Sequence, residues 1–316
     1  MTQQKTATVF GGTGFVGTQV VRELAARGVT VKVATRVPER AYFLKPCGAV
    51  GQIVPVPCDY SDPASVAGVV AGSDYVVNCI GVLAQRRRAK FQSVHVDLPA
   101  RIAKACADEG VGRFVHISAL ACERGTSQYA KSKAEGEQAV HANFSAASLL
   151  RPSVIFGEGD DFFNMFAKMS KILPVLPLIG GGKTRFQPVY VGDVADAVMA
   201  ALEREDAKGK IYELAGPEIL SFEEIYQRLF AHTGRKACLI SLPFALAKMD
   251  AAVLSVLPKP PLTCDQVESL KTDNVVNEGA LGLADLGVSS TALDTILPTY
   301  LSRYRKGGRF GDQKAA

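Results

Sequence analysis

"VFGGTGFVG", residues 9–17, joins a short apolar run to a stretch with helical spacing, and its glycines Gly11, Gly14 and Gly17 follow a G-x-x-G-x-x-G pattern. Each glycine has a physical task in a nucleotide turn. The first permits the tight bend, the second lets the backbone approach a pyrophosphate, and the third lets the following helix pack on the sheet. That helix then offers free N–H groups and a partial positive charge to phosphate oxygens. The plainer alternative is a glycine turn needed only for packing. The strand before and the helix after supply the context that the phosphate-binding reading requires.

Outward from this turn, strand and helix signals alternate. Strands are expected at 7–11, 29–35, 52–59, 74–81, 113–119 and 146–157, with the prolines of 52–59 placing that strand at an edge. Helices are expected at 13–28, 62–73, 91–110 and around 127–138, the second opened by an Asp62 cap and Pro63. This alternation predicts an α/β fold, a Rossmann-type doubly wound parallel sheet covered on both faces. After residue 157 the pattern loosens. Helices are expected at 160–172, 191–204 and 220–234, the last with a Ser221–Glu224 capping box, and a strand at 209–216. Residues 173–190 read as a proline- and glycine-rich segment, and the chain after 234 as irregular. The expected organisation is a dinucleotide-binding domain over 1–157 and a smaller carboxy-terminal α/β lobe over 158–316, interleaved with it.

Composition narrows the class. The 316 residues are 47% hydrophobic and 21% charged, with a net charge of +5, too weak a basic balance to argue for nucleic acid. The seven cysteines are scattered and form no CxxC pair, so free thiols in a reducing compartment are expected, with no zinc site. The start runs almost directly into a strand, so no signal peptide is expected, and no run of about eighteen apolar residues predicts a membrane span. The four histidines show no metal spacing and read as packing or surface residues.

The end of the second strand bears on cofactor choice. An acid there would bind a ribose 2′-hydroxyl. "VATRVPER" (33–40) has Arg36 at that place and Arg40 close by, and a guanidinium suits a 2′-phosphate. NADP(H) is therefore favoured, with NAD(H) as the second choice and a solvated surface arginine as the plain alternative. In "SQYAKSKAEGEQ" (127–138), Tyr129 and Lys133 stand four apart, on one face of a helix. They read either as a proton-donating pair for hydride chemistry or as two ordinary residues of an amphipathic helix.

Taken together, "GGTGFVG", Asp59 after the third strand, "YAKSK" as Tyr-x-x-x-Lys and "RPSVIFG" resemble the extended short-chain dehydrogenase/reductase superfamily. "RPSVIFGEGDDFFNMFAKM", "FQPVYVGDVADAV" and the stretch from "NCIGV" to "RFVHISAL" are similar to the respiratory complex I alpha-subcomplex subunit nine family, over about residues 5–300. The resemblance implies an atypical member that binds NADPH tightly and lacks part of the usual catalytic set. It implies a cofactor site of Gly11, Thr13, Gly14, Phe15, Val16 and Gly17 at the first turn and Arg36 after the second strand. It adds Asp59 and Tyr60 after the third strand, Cys79, Ile80 and Gly81 after the fourth, Lys133, and Pro152 and Val154 after the sixth. It implies catalytic roles for Tyr129 as proton donor, Lys133 as phenol activator and ribose ligand, and a serine that steadies the carbonyl. The serine usually stands two residues after Ser118, where this chain has Leu120, so Ser118 could serve only if the backbone shifts.

Two functions remain open on these grounds. One is a cofactor-bound accessory protein, with NADPH held structurally, linked to respiratory complex I or quinone metabolism. The other is an active NADP(H)-dependent oxidoreductase or epimerase acting on a carbonyl or quinone precursor through Tyr129 and Lys133. The expected place is the cytoplasm, extending to a peripheral position on the cytoplasmic face of the inner membrane. Complex I subunits or a membrane surface would be met through the carboxy-terminal lobe, its apolar stretch 244–261 and its basic tail from Arg303. "QRRRAK" (85–90) reads as a solvated basic loop with an anionic partner as the alternative, and Asp160 and Asp161 as a helix cap pair.

Overall fold

The computed structural model describes residues 4–85, 89–255, 260 and 262–308. The alternating half forms β1 (Thr6–Phe10), α1 (Phe15–Ala26), β2 (Thr30–Thr35), β3 (Ile53–Pro57), α2 (Pro63–Val70), β4 (Tyr75–Asn78), α3 (Leu98–Asp108), β5 (Arg113–Ile117), α4 (Gln128–Asn143) and β6 (Ser148–Pro152). The chain continues through β7 (Ile155–Phe156), α5 (Phe162–Ile172), β8 (Val175–Ile179), β9 (Arg185–Phe186), β10 (Val189–Tyr190), α6 (Val191–Glu203), β11 (Ile211–Leu214), β12 (Leu220–Ser221) and α7 (Phe222–Thr233). It ends with β13 (Cys238–Leu242), α8 (Phe244–Leu254), α9 (Cys264–Ser269) and α10 (Leu293–Leu301).

Seven strands form one parallel sheet in the order β11-β6-β5-β4-β1-β2-β3. The proline-bearing β3 lies at an edge, as its composition predicts. The strand order reverses between β1 and β4, and a doubly wound sheet binds its ligand in the crevice at such a reversal. Helices cover both faces. On one, α1 and α6 share an apolar cluster of Val20, Val21, Leu24, Val194 and Val198 with β1 and β2. On the other, Phe114, Val140, Leu98 and Ile102 lock α3 and α4 to the sheet. Each such side chain contributes roughly 1.5–3 kcal/mol on burial.

The sequence reading needs correction at four places. The expected helix 91–110 opens as a π-helical turn at Gln92–Asp97 before α3 begins. The expected strand 146–157 is broken, because the Val154 amide donates to Asn274 Oδ1 (3.1 Å) and the chain leaves the sheet. Ile155 and Phe156 then pair with Val189 and Tyr190. The segment 173–190 contains β8, β9 and β10, and the carboxy-terminal remainder contains β13, α8, α9 and α10. The strand expected at 209–216 forms as β11, which pairs with β6 in the main sheet, and α6 packs on α1.

The remaining elements enclose an aromatic core of Phe156, Phe163, Phe166, Phe222 and Tyr226, sealed by Leu297 and Tyr300 of α10. Asp160 is no simple cap. It lies buried, accepting from Tyr300 Oη at 2.6 Å and from the Asn164 amide at 3.2 Å, while Asp161 caps α5 by position only. No helix among the described residues is long and apolar enough to cross a membrane.

Candidate functional site

The glycine turn has the shape its spacing predicts. Gly11 takes a φ of +76°, and the Gly14 amide donates to the Gly11 carbonyl at 2.9 Å. A Cβ on Gly17 would lie 2.1 Å from that carbonyl oxygen, and one on Gly11 3.0 Å from Cys79 and Ile80. Only glycine allows this approach. Helix α1 carries no acidic residue in its first turn and no side-chain cap. Its first amides are therefore left for an anionic group, the arrangement that holds a pyrophosphate. Thr13 and Gly14 are exposed at this mouth, with Phe15 and Val16 half-buried beside it.

The other expected cofactor residues lie along the same carboxyl edge of the sheet. Arg36 is exposed after β2, its guanidinium 5.6 Å from the centre of the Tyr60 ring. Tyr60 is fixed in turn, donating its hydroxyl to the Ala34 carbonyl at 2.9 Å. Asp59 is exposed and accepts from the Ser61 hydroxyl and amide, which hold its carboxyl below the usual range. Cys79 and Ile80 are half-buried and Gly81 is exposed after β4, with the Ile80 amide taken by Asn78 Oδ1 at 3.0 Å. Pro152 is buried and Val154 half-buried after β6. These expected residues share one edge of the sheet.

Helix α4 brings the tyrosine and lysine to that edge. Ser127 caps it by accepting from the Ala130 amide, and Asp265 of α9 accepts from the amides of Gln128 (2.7 Å) and Tyr129 (3.0 Å). Lys133 is buried and donates to the Ile117 carbonyl at 2.8 Å. Burial pulls its ammonium down to about 8, against the opposing pull of Glu137 and the thiols of Cys122 and Cys79. Burial, with the Cys122 thiol, pushes the Tyr129 phenol up to about 12. A phenol that must release its proton near neutrality needs the opposite shift.

The position where the resemblance expects a serine holds no hydroxyl. Leu120 is buried, its amide donating to the Pro152 carbonyl at 2.9 Å and its carbonyl accepting from Asn274. The backbone is therefore pinned and presents a leucine where the serine would stand. The Ser118 hydroxyl is buried and without a well-formed hydrogen bond; the Cys122 thiol is its polar neighbour.

Several residues of the site carry no motif in the sequence. Cys122 donates to Glu137 Oε1 at 3.3 Å. Glu137 pairs with Arg151 through Nε at 2.9 Å and Nη2 at 2.6 Å, and Arg151 also meets Glu123. A cavity of about 150 Å³ lies beside this pair, bounded by Glu213 and Asn277. Gly136, a mid-helix glycine and so a propensity anomaly, was the visible signal for close packing here. A Cβ on it would lie 1.9 Å from the His95 carbonyl. His95 and His116 are buried in this layer, as packing histidines would be. Among the described residues no group of three or more His, Cys, Asp and Glu could hold a metal ion. Arg86, Arg87 and Arg88 of the basic loop lie outside the described residues.

Comparison with known proteins follows the same lines. Residues 7–215 match the NAD dependent epimerase/dehydratase family. The chain is 35% identical to the mitochondrial NADH dehydrogenase [ubiquinone] 1 alpha subcomplex subunit 9 of Arabidopsis thaliana, over 96% of this chain and 78% of that protein. It is 36% identical to the Mus musculus protein of the same name, over 95% and 80%. Among solved structures it resembles an NADPH-dependent quinone oxidoreductase from Escherichia coli complexed with NADPH, with a TM-score of 0.73, 20% identity and coverage of 94% and 98%. That likeness is one of fold. The glycine turn, the parallel sheet and the whole-length similarity agree: the chain belongs to the NAD dependent epimerase/dehydratase family, alongside the complex I alpha subcomplex subunit 9 proteins.

Proposed function

We propose that the protein binds NADPH as a structural cofactor and acts as an accessory component of the complex I subunit nine type, linked to respiratory complex I or quinone metabolism. One observation carries this reading. The glycine turn has the close backbone packing that a dinucleotide turn needs, while a buried Leu120 stands where the resemblance expects the serine of a proton-transfer set. The glycine turn and the first amides of α1 would take the pyrophosphate. Arg36, steadied on Tyr60, would take the adenosine 2′-phosphate, which is the ground for preferring NADPH to NADH. Asp59 would face the adenine, and Cys79, Ile80, Gly81, Pro152 and Val154 would line the cleft. Lys133 would hold the nicotinamide ribose, with Tyr129 filling space beside it. A bound nicotinamide can supply a hydride; the side chains here do little to manage the accompanying proton.

The carboxy-terminal lobe supplies the docking face in this reading. Leu246, Met249 and Val253 stand on one exposed side of α8, at 49%, 65% and 74% exposure, while Ala247 and Ala251 of the same helix are buried. Such a stripe fits a peripheral position on a respiratory complex or a membrane face. Arg303 and Arg305 are less free than their place in a basic tail suggests, being bonded to Asn164 and to the His232 carbonyl. Residues 309–316 of that tail lie outside the described residues.

A second reading, an active NADP(H)-dependent oxidoreductase or epimerase, is favoured by Tyr129 and Lys133 sharing the helix that faces the cleft. The first test is chemical. Protein purified without added nucleotide is denatured and its released small molecules identified by mass spectrometry. NADPH near one equivalent supports the proposal. Protein that emerges free of dinucleotide and gains no thermal stability from millimolar NADPH would overturn it.

A further inference from the structure

His95 joins the two walls of the cleft. Its Nε2 accepts from the Val82 amide at 3.1 Å, in the segment that follows β4. Its Nδ1 meets Ser132 Oγ at 2.9 Å, and Ser132 donates in turn to the Tyr129 carbonyl at 2.8 Å. The polarity of this chain follows from its ends. Val82 N–H can only donate, so Nε2 is bare. The Tyr129 carbonyl can only accept, so the single hydroxyl proton of Ser132 points to it. Ser132 Oγ is then an acceptor towards His95, and the ring proton sits on Nδ1.

The surroundings hold the ring in that state. His95 is 1% exposed. It stacks on Phe91 at 5.1 Å and meets the edge of the Tyr129 ring at 5.5 Å and 86°. Burial and the nearby Lys133 ammonium pull its basicity down to about 3, so it carries no charge near neutrality. Its own backbone is pressed against α4 at Gly136. Neighbouring Asn78 has an analogous duty, holding the Ile80 amide with Oδ1 and meeting His116 Nδ1 at 3.1 Å. Alternate amides after β4 are thus fixed by side chains rooted in the sheet and in the turn before α3.

We infer that His95 is a positioning residue, a tautomer-locked strut that sets the distance between the cofactor-lining segment Cys79–Val82 and the helix bearing Tyr129 and Lys133. It touches neither wall by chance packing alone, since both its nitrogens are used and each serves a different wall. This deepens the cofactor reading above and rests on it only for the effect on affinity. In a site held this way, loss of Ser132 frees the ring to exchange tautomers. The Val82 amide then loses its acceptor although Ser132 does not touch it.

The test uses the full-length protein and three readouts. Nitrogen-15 NMR of the histidines, without nucleotide, is expected to show His95 neutral with Nδ1 protonated from pH 6 to 8. Hydrogen exchange is expected to show a protected Val82 amide that exchanges faster in Ser132→Ala. NADPH affinity is expected to fall about fivefold in Ser132→Ala, the size of one net hydrogen bond. It should fall as far in His95→Gln, with no further loss in the double variant. An Nε2-protonated ring, or Ser132→Ala with unchanged Val82 exchange, overturns the strut. Additive losses in the double variant overturn it too. If the wild-type protein binds no dinucleotide, the cofactor reading fails, and the NMR and exchange results still decide the strut.

Discussion

Lys133 Nζ donates to the carbonyl oxygen of Ile117 at 2.8 Å, tying the helix that carries Tyr129 to the carboxyl end of β5. The ammonium is therefore placed by the sheet and sits at the cleft without a direct bond to the phenol. Burial weakens its hold on the proton, which leaves at about pH 8 rather than at the 10.5 of a free lysine. The charged form dominates below that value and is lost as pH rises through it. NADPH affinity of the nucleotide-free protein should accordingly weaken by severalfold between pH 7 and 9.5, as read by fluorescence titration. Lys133→Met should bind weakly at pH 7 and show a flat profile.

The two buried histidines make the fold sensitive to acid. His95 is held neutral down to about pH 3 by burial and by Lys133, and burial depresses His116 as well. The unfolded chain takes up these protons below about 6.5, so it binds more protons than the native state between the two values. Stability is then fully present above pH 6.5 and falls as pH drops, by up to about 1.4 kcal/mol per pH unit for each site. Urea unfolding at pH 7, 6 and 5 should give steadily lower midpoints. A His95→Gln background should show a shallower slope.

Packing between α4 and the turn before α3 leaves no room at Gly136. An added methyl would lie 1.9 Å from the His95 carbonyl, backbone that cannot step aside. Gly136→Ala should cost about 3 kcal/mol or more, although the same change raises helix propensity. Thermal unfolding should show a lower midpoint, where an exposed helical glycine such as Gly68, with open space around its Cβ position, should gain from alanine.

Arg151 and Glu137 form a buried bidentate pair, with both side chains 6% exposed. Burial works against the guanidinium charge, and the carboxylates of Glu137 and Glu123 more than restore it, raising its proton affinity above the ordinary value. Removing one partner strands the other, so Glu137→Ala should destabilise by roughly 3–5 kcal/mol. Replacing both with apolar residues, Glu137→Leu with Arg151→Met, should cost less than either single change. Chemical denaturation of the four proteins reads this directly.

Arg36 is the test of cofactor choice. Its guanidinium rests over Tyr60 at the end of β2, where an acid would favour NADH. Arg36→Ala should weaken NADPH about 10- to 100-fold, the worth of a charged hydrogen-bonded contact, and leave NADH nearly unchanged. Unchanged affinity for both dinucleotides would leave Arg36 a solvated surface residue, and equal losses for both would place its contact on a part of the dinucleotide that the two share.

Much of this site was legible because its signals are local. Gly11, Gly14 and Gly17 fix a turn by steric exclusion, and Tyr129 and Lys133 share a face by helical period alone. Edge placement of β3 followed from its prolines. The illegible part depends on contacts distant in the chain. Asn274 captures the Val154 amide from 120 residues away, which no reading of 146–157 could reveal, and so one expected strand became two. Asp265 closes the amino end of α4 from α9, in a stretch that reads as irregular. His95 gave no motif because its function lies in two hydrogen bonds to partners 13 and 37 residues away. The Leu120 substitution was visible, but that the backbone is pinned there rather than shifted needed the fold.

The most direct test of a structural NADPH is to challenge it. Protein carrying its dinucleotide would be mixed with short-chain quinones and a panel of carbonyl compounds while absorbance at the reduced-nicotinamide band is followed. The account predicts a band that persists for the lifetime of the complex and is equally stable in wild type and Tyr129→Phe. A band that bleaches on addition of an acceptor, and survives in Tyr129→Phe, would contradict it and make Tyr129 and Lys133 a working catalyst.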